Sequence, residues 1–382
     1  ANNALPWYSC MFMILAVSAT GPTSLNIAMK QTAVVTRDLN PFKMEQHMGM
    51  QVVVLAGGFG SRLKPWTNTV PKPLLPLLDK TLLEQVVSTV PEDLVDEVVI
   101  AAGYMVDEMR QYFSSIELPY EVTILPEDEP MGTGGALKNC IDHVSGRFAC
   151  FNGDVVSSLD FSAMAVQHEG MKAIGTLALW EVEDPTRFGI VGIDEDYRVT
   201  RFKEKPTSEE VFSNLINAGS YILEEEIFEL MPEGKFSLER EVFPVLAERG
   251  ELGGFPFEGF FIDAGTPESW TSAVEAAIKD GRFASGSLIE GTWFADGEVA
   301  DCIRGEYNMF SSGIQVSKDS IISQSTLLEG AKVGSGARLE RCLIGENAQI
   351  GAGCQLKDVL VDHGAIVPDG SLLQGGTFPQ IE

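Results

Sequence analysis

The segment Leu55–Pro73 (LAGGFGSRLKPWTNTVPKP) holds the residues of this 382-residue chain best suited to chemistry. A short apolar run ends in Gly57-Gly58, and Gly60, Ser61 and Arg62 follow. Glycines just after a buried strand let backbone N–H groups approach a phosphate closely. A dinucleotide loop could begin this way, but the last glycine of G-x-G-x-x-G is missing, and a Walker loop would need G-K-[ST]. The segment instead continues through Arg62 to Pro71-Lys72-Pro73, two cations on a loop long enough to wrap a triphosphate. Metal chemistry based on zinc is excluded: the six cysteines form no C-x-x-C pair and the four histidines have no ligand spacing.

The elements that must position this loop alternate. Gln51–Ala56, Glu97–Ala102, Glu121–Leu125 and Arg147–Asn152 read as strands. Thr81–Val90, Val106–Phe113 and Gly134–His143 read as helices between them. Such alternation implies a mostly parallel sheet covered on both faces. Met171–Trp180 and Gly189–Glu204 read as longer, partly antiparallel strands, and Glu268–Lys279 as a closing helix.

Beyond about residue 281 the helical period disappears and a 17-residue repeat replaces it. Val316, Val333, Ile350 and Val367 keep this interval, as do Ile322, Leu339, Leu356 and Leu373, and Leu327, Ile344 and Val361. Apolar positions spaced six, five and six within each period mark a triangular parallel β-helix whose coils bury aliphatic columns against one another. The expected organisation is a leader over residues 1–49, a catalytic domain over 50–282, a linker over 283–310, a β-helix over 311–376 and a tail over 377–382. The leader carries the apolar run WYSCMFMILAV. That run is too short to span a bilayer and lacks the preceding cations of a signal peptide, so it reads as disordered or over-extended.

Charge narrows the partners. The chain has 55 acidic and 27 basic residues, a formal charge of −28. Nonspecific binding to nucleic acid or to an anionic membrane is excluded on this balance. Anionic substrates must be met by a few placed cations and a metal. Scattered cysteines fit a reducing compartment, and the expected location is cytoplasmic.

In its ordered motifs the chain resembles the sugar-phosphate nucleotidyltransferases. Besides Leu55–Pro73, these are EDEPMGTGGAL (127–137), FNGD (151–154), DPTRFGIV (184–191), FKEKP (202–206), NAGSY (217–221), SLE (237–239) and GFFIDAGT (259–266). The resemblance covers about residues 50–280. It implies a Rossmann-like mixed α/β sheet followed by a short left-handed parallel β-helix. Three departures keep every charge: Ser61 stands for Thr, Trp66 for Leu and Phe261 for Trp. Trp66 is expected to pack rather than react.

The resemblance also implies roles. Arg62 and Lys72 would grip the triphosphate; Leu55, Ala56, Gly57, Gly58, Gly60, Glu127, Gly132, Thr133 and Gly134 would line the nucleotide. Gly189, Glu204, Lys205, Asn217 and Gly219 would line the sugar phosphate, with Lys205 on its phosphate and Glu204 on its hydroxyls. Asp154, at the carboxyl end of a buried strand, and Asp263, in a glycine-rich turn, are carboxylates from distant segments that suit a hard cation such as Mg2+. The implied reaction joins a nucleoside triphosphate to a sugar 1-phosphate and expels pyrophosphate, without a protein nucleophile. The loop motifs look most like those of mannose-1-phosphate guanylyltransferases, with glucose-1-phosphate thymidylyl- or uridylyltransferases as rivals. A silent regulatory subunit that senses a nucleotide sugar should have lost some of Arg62, Lys72, Asp154, Lys205 and Asp263, and all five are present. Homo-oligomerisation through the β-helix or the catalytic domain is expected.

Overall fold

The computed structural model describes residues 49–296 and 302–380. The expected leader therefore lies almost wholly outside the described residues, as does the end of the tail.

The first strand, Met50–Ala56, is parallel to Val95–Ala102 on one side and to Phe148–Asn152 on the other; Glu121–Pro126 follows Val95–Ala102 at the sheet edge. These strands are apolar at successive positions because both faces are covered. Val53, Val99 and Ala101 enter one core cluster, whereas Val52, Val54, Val98 and Ile100 enter another. Beyond Phe148–Asn152 the sheet turns antiparallel, with Leu215–Leu223 and the hairpin Gly189–Ile193/Val199–Glu204. Gly175–Glu181 and Leu252–Pro256 extend it, giving a nine-stranded mixed sheet.

The chain winds from Met50–Ala56 to Val95–Ala102 and then crosses back to Phe148–Asn152 on the other side. This reversal leaves a crevice at the carboxyl ends of Met50–Ala56 and Phe148–Asn152, where open α/β sheets bind ligands. Leu55 stands opposite Asn152 in the register there.

Helix boundaries follow local chemistry. Thr81 and Glu84 form a capping box on Leu82–Val87. Pro267–Asp280 begins behind Thr266, with proline in its first turn, and ends at Gly281 with φ 67°. The strand expected from Met171 begins only at Gly175, because Phe161–Met171 is a helix stopped by Lys172 at φ 52°.

The C-terminal part is a parallel β-helix of three stacked sheets. The 17-residue columns are its rungs: Val316 pairs with Val333, Ile322 with Leu339 and Leu327 with Ile344. The stack starts earlier than residue 311. Thr292–Phe294 already pairs in parallel with Asn308–Phe310, which pairs with Thr326–Leu327. Much of the expected linker over 283–310 is therefore β-helix; Phe294 and Phe310, 16 residues apart, break the interval and fill the column with aromatic rings. Thr377–Phe378, placed in the expected tail, is its last rung.

Candidate active site

Two carboxylates, two cations and a glycine loop meet at the crevice. The Gly153 amide donates to the Leu55 carbonyl at 3.0 Å, which holds Asp154 beside the start of the loop. Lys72, 8% exposed, donates from Nζ to Asp154 Oδ2 at 2.7 Å. Asp263 ends the short strand Phe261–Asp263, which runs antiparallel to Val155–Ser157. The Ala264 amide donates to the Asp154 carbonyl at 2.8 Å, tying the two aspartate segments together. Arg62 Nη2 lies 4.0 Å from Asp263 Oδ2. Burial, and next the Asp154 charge, push the Asp263 carboxyl above the usual range; Lys72, Arg62 and Arg187 pull it down. Asp263 Oδ1 is buried without a hydrogen-bond partner. An orphaned oxygen beside a second carboxylate fits a divalent cation, which would satisfy the one and neutralise the repulsion of both. Among the described residues no third His, Cys, Asp or Glu joins them. Substrate oxygens and water would complete the shell. At Gly265 a side chain would come within 2.5 Å of Arg62 Nη2 and 2.8 Å of Asp263 Oδ1.

The side expected to hold the nucleotide combines Leu55–Gly60 with the segment after Glu121–Pro126. The Glu127 amide donates to the Ala102 carbonyl at 2.9 Å, and Glu127 Oε2 accepts the Met131 amide at 3.1 Å. Glu127 Oε1 is buried and unpartnered, and a Cβ on Gly57 would lie 2.7 Å from it. Gly58 faces open space: a Cβ there meets nothing within 4 Å. Gly132 and Gly134 pack closely on Phe236. A Cβ on Gly132 would strike the Phe236 carbonyl at 2.5 Å, and one on Gly134 the Phe236 ring at 2.1 Å. Thr133 turns to the same segment, donating to Glu239 Oε2 at 2.6 Å and accepting the Leu238 amide at 3.1 Å.

On the side expected to hold the sugar phosphate, Glu204 closes the strand Val199–Glu204 opposite Gly189. A Cβ on Gly189 would lie 2.9 Å from Glu204 Oε2. Lys205 turns at φ 45°, its amide donating to the Phe188 carbonyl, and its Nζ stands 3.5 Å from Glu204 Oε1. Burial raises the Glu204 pKa, Glu239 adds to the rise and Lys205 opposes it. Asn217 and Gly219 sit where the register of Leu215–Leu223 shifts. Gly219, at φ 68°, packs against the Asn152 side chain and donates its amide to Asn217 Oδ1 at 3.2 Å; Asn217 Nδ2 donates to the Tyr221 hydroxyl at 3.0 Å.

Two residues of quoted motifs gain roles only here. Glu239 is buried on the π-helical turn Leu238–Val242, accepts the hydroxyls of Thr133 and Ser237, and acts electrostatically on Glu204. It links Thr133 to Glu204, on the two sides expected to hold nucleotide and sugar. Its spacing of three and four residues before Val242 and Phe243 was the sequence signal of a buried helical face. Arg187 acts on Asp263, a pairing between distant segments that local sequence does not carry.

Comparison with known proteins shows the family. Residues 51–280 match the nucleotidyl transferase family, and residues 292–374 match the GlmU-like C-terminal hexapeptide family. The chain is 32% identical to a mannose-1-phosphate guanyltransferase of Saccharomyces cerevisiae, over 59% of this chain and 64% of the relative's length. It is 30% identical to the mannose-1-phosphate guanylyltransferase catalytic subunit beta of Danio rerio, over 77% of this chain and 86% of that one. A solved Bacillus anthracis chain with the provisional name glucose-1-phosphate thymidylyltransferase, in complex with sucrose, aligns at a TM-score of 0.53. It is 28% identical and covers 59% of this chain and 94% of that chain. The chain belongs to the nucleotidyl transferase family, with a hexapeptide-repeat β-helix at its C-terminal side.

Proposed function

We propose that the protein transfers a nucleotidyl group from a nucleoside triphosphate to a sugar 1-phosphate, with GTP and mannose 1-phosphate as the substrates and Mg2+ as the metal. The observation that carries this reading is the convergence of Lys72, Arg62, Asp154 and Asp263 on the crevice. Such a set holds two anions together, and the protein is otherwise strongly acidic.

A sugar phosphate oxygen attacks the α-phosphorus, the bond to the β-phosphate oxygen breaks, and pyrophosphate leaves with the negative charge. No proton need move and no protein nucleophile is used. Lys72 and Arg62 hold the triphosphate and oppose the charge that develops on it; Lys205 holds the sugar phosphate, and Glu204 accepts hydrogen bonds from sugar hydroxyls. Mg2+ held by Asp154 and Asp263 would supply charge neutralisation and polarise the phosphoryl oxygens.

Glu127 favours guanine. Its unpartnered Oε1 is acceptor-only when ionised and lies against Gly57. Guanine presents adjacent N–H donors on its Watson–Crick edge, whereas uracil and thymine flank one N–H with two carbonyl oxygens that a carboxylate repels. The name of the yeast relative supports the same choice. The buried cysteines 140, 150, 342 and 354, which form no disulfide, support a cytoplasmic site of action. Among the described residues no helix is long and apolar enough to cross a membrane. Self-association through the β-helix or catalytic domain remains part of the proposal.

The test is pyrophosphate release from ATP, GTP, UTP and dTTP against the 1-phosphates of mannose, glucose and N-acetylglucosamine. GTP with mannose 1-phosphate should exceed every other pair at least tenfold. A preference for UTP or dTTP with glucose 1-phosphate would replace the substrate pair. Nucleotide-sugar binding without turnover on any pair would replace catalysis by sensing.

A further inference from the structure

The segment bearing Arg62 and Lys72 meets the β-helix at Trp66. Trp66 is fully buried, and its indole N–H donates to the Val361 carbonyl at 2.9 Å across 295 residues of sequence. That carbonyl also accepts the Gly345 amide at 2.9 Å, so the indole uses the second lone pair of a rung carbonyl. The His363 ring lies 5.5 Å from the Trp66 ring, tilted by 31°, and its Nδ1 accepts the Glu346 amide. Leu63, Trp66 and Leu75 share one apolar cluster with Met309, Leu343 and Leu360 of the β-helix. The β-helix has specialised this face. Outward positions on its other two faces stay exposed, polar at Gln315, Lys332, Gln349, Arg338 and Gln355 and apolar at Ile303, Ile366 and Leu372, whereas Leu343 and Leu360 on this face are buried.

The loop needs such an anchor. Between Gly57 and Lys80 it is built from three-residue helical turns at Ser61–Leu63, Trp66–Asn68 and Lys72–Leu74, with the two-residue strand Pro76–Leu77. Turns this short do not hold their own shape in water. Packing must fix them. Leu63, Pro65 and Trp66 are buried shortly after Arg62, and Leu75 follows the Lys72 turn. On the sugar side, Glu204, Lys205, Asn217 and Gly219 sit on or beside strands of the large sheet, outside this cluster.

We propose that the β-helix is part of the scaffold of the nucleotide site: through Trp66 it fixes the loop carrying Arg62 and Lys72, making Trp66 a positioning residue for the triphosphate. The inference rests on the reading that this loop holds a triphosphate. Its physical core, that the β-helix face sets the order of the loop, does not.

The experiment uses the full chain with Trp66→Ala, Trp66→Phe and Leu360→Ala. Circular dichroism selects the folded variants; Trp66→Phe keeps the ring, and Leu360→Ala approaches from the other side, so the test survives if Trp66→Ala does not fold. The triphosphate KM should rise about tenfold in Trp66→Ala and less in Trp66→Phe, while the sugar phosphate KM changes less than twofold. Leu360→Ala should shift the triphosphate KM in the same direction and add little to Trp66→Ala. An unchanged triphosphate KM, or equal changes in both KM values, overturns the proposal. Amide hydrogen exchange separates its failure from that of the functional reading. Trp66→Phe should speed exchange across residues 58–75 and leave Phe148–Asn152 protected, whatever the substrates prove to be. Unchanged exchange in the loop overturns the scaffold role even in an active enzyme. Faster loop exchange in a chain without turnover upholds the scaffold and removes only the substrates.

Discussion

Lys72 Nζ and Asp154 Oδ2 form a 2.7 Å hydrogen bond that joins the glycine loop to the end of Phe148–Asn152 across 82 residues of sequence. Lys72 is buried and Asp154 is partly open, so the lysine is held in place by its partner carboxylate rather than by water, and the pair presents a fixed dipole to the crevice. Lys72→Met should lower kcat/KM by about 10²–10³-fold, the usual loss when one preorganised donor to a developing charge is removed. Steady-state kinetics on folded protein check this. A loss below threefold would make the pair structural.

The two aspartates make a second prediction. Asp263 Oδ1 has no partner, and the Asp154 charge acts on it unfavourably. Replacing Asp263 by Asn removes a like charge, so in chelator the variant should melt at or above the wild-type temperature. Added Mg2+ should raise the wild-type Tm by binding the folded state, and should not raise that of Asp263→Asn. Equal metal-induced shifts in both proteins would remove Asp263 from the metal site.

Base choice is tested at Glu127. Glu127→Gln replaces one acceptor oxygen by a donor while keeping shape. The GTP preference should fall by about 10–100-fold relative to UTP, the range of one or two hydrogen bonds to a base. Competition assays with both triphosphates read this ratio directly. An unchanged ratio would place base recognition elsewhere.

Acid stability follows from the buried imidazole of His168 and the half-buried one of His363. The His168 ring bonds Thr176 Oγ1 at 2.7 Å and Glu224 Oε1 at 3.0 Å. Burial lowers its pKa first, with Arg147 in the same direction, against the opposing Glu224 and Glu169. Burial lowers that of His363 as well, against Glu346 and Asp362. A depressed folded pKa means the unfolded chain takes up protons first as pH falls. Stability is full above about pH 6.5 and declines below it, by at most about 1.4 kcal/mol per pH unit for each histidine. Urea unfolding between pH 7 and 5 should show this decline, and His168→Gln should make it shallower. An unchanged slope would assign the acid sensitivity to other groups.

Much of this was legible in the sequence because it is local or periodic. Asp154 and the glycine loop end buried strands, and the Leu327, Ile344 and Val361 column repeats because each coil buries one residue there. The docking face was equally periodic: Met309, Thr326, Leu343 and Leu360 keep the same interval, one residue earlier. Their outward direction shows only once the rungs are formed. Glu239 and Arg187 escaped because their partners, Thr133 and Asp263, are distant in sequence. That Gly132 and Gly134 also clear Phe236 was not legible, because Phe236 lies far along the chain from both.

The central claim is that Asp154 serves phosphoryl chemistry and not only the fold. Pyrophosphate release from GTP and mannose 1-phosphate, measured with Mg2+ on wild type and Asp154→Asn, tests it most directly. The account predicts release by the wild type and a fall of at least 10²-fold in a variant that remains folded. Undiminished release by folded Asp154→Asn would contradict it.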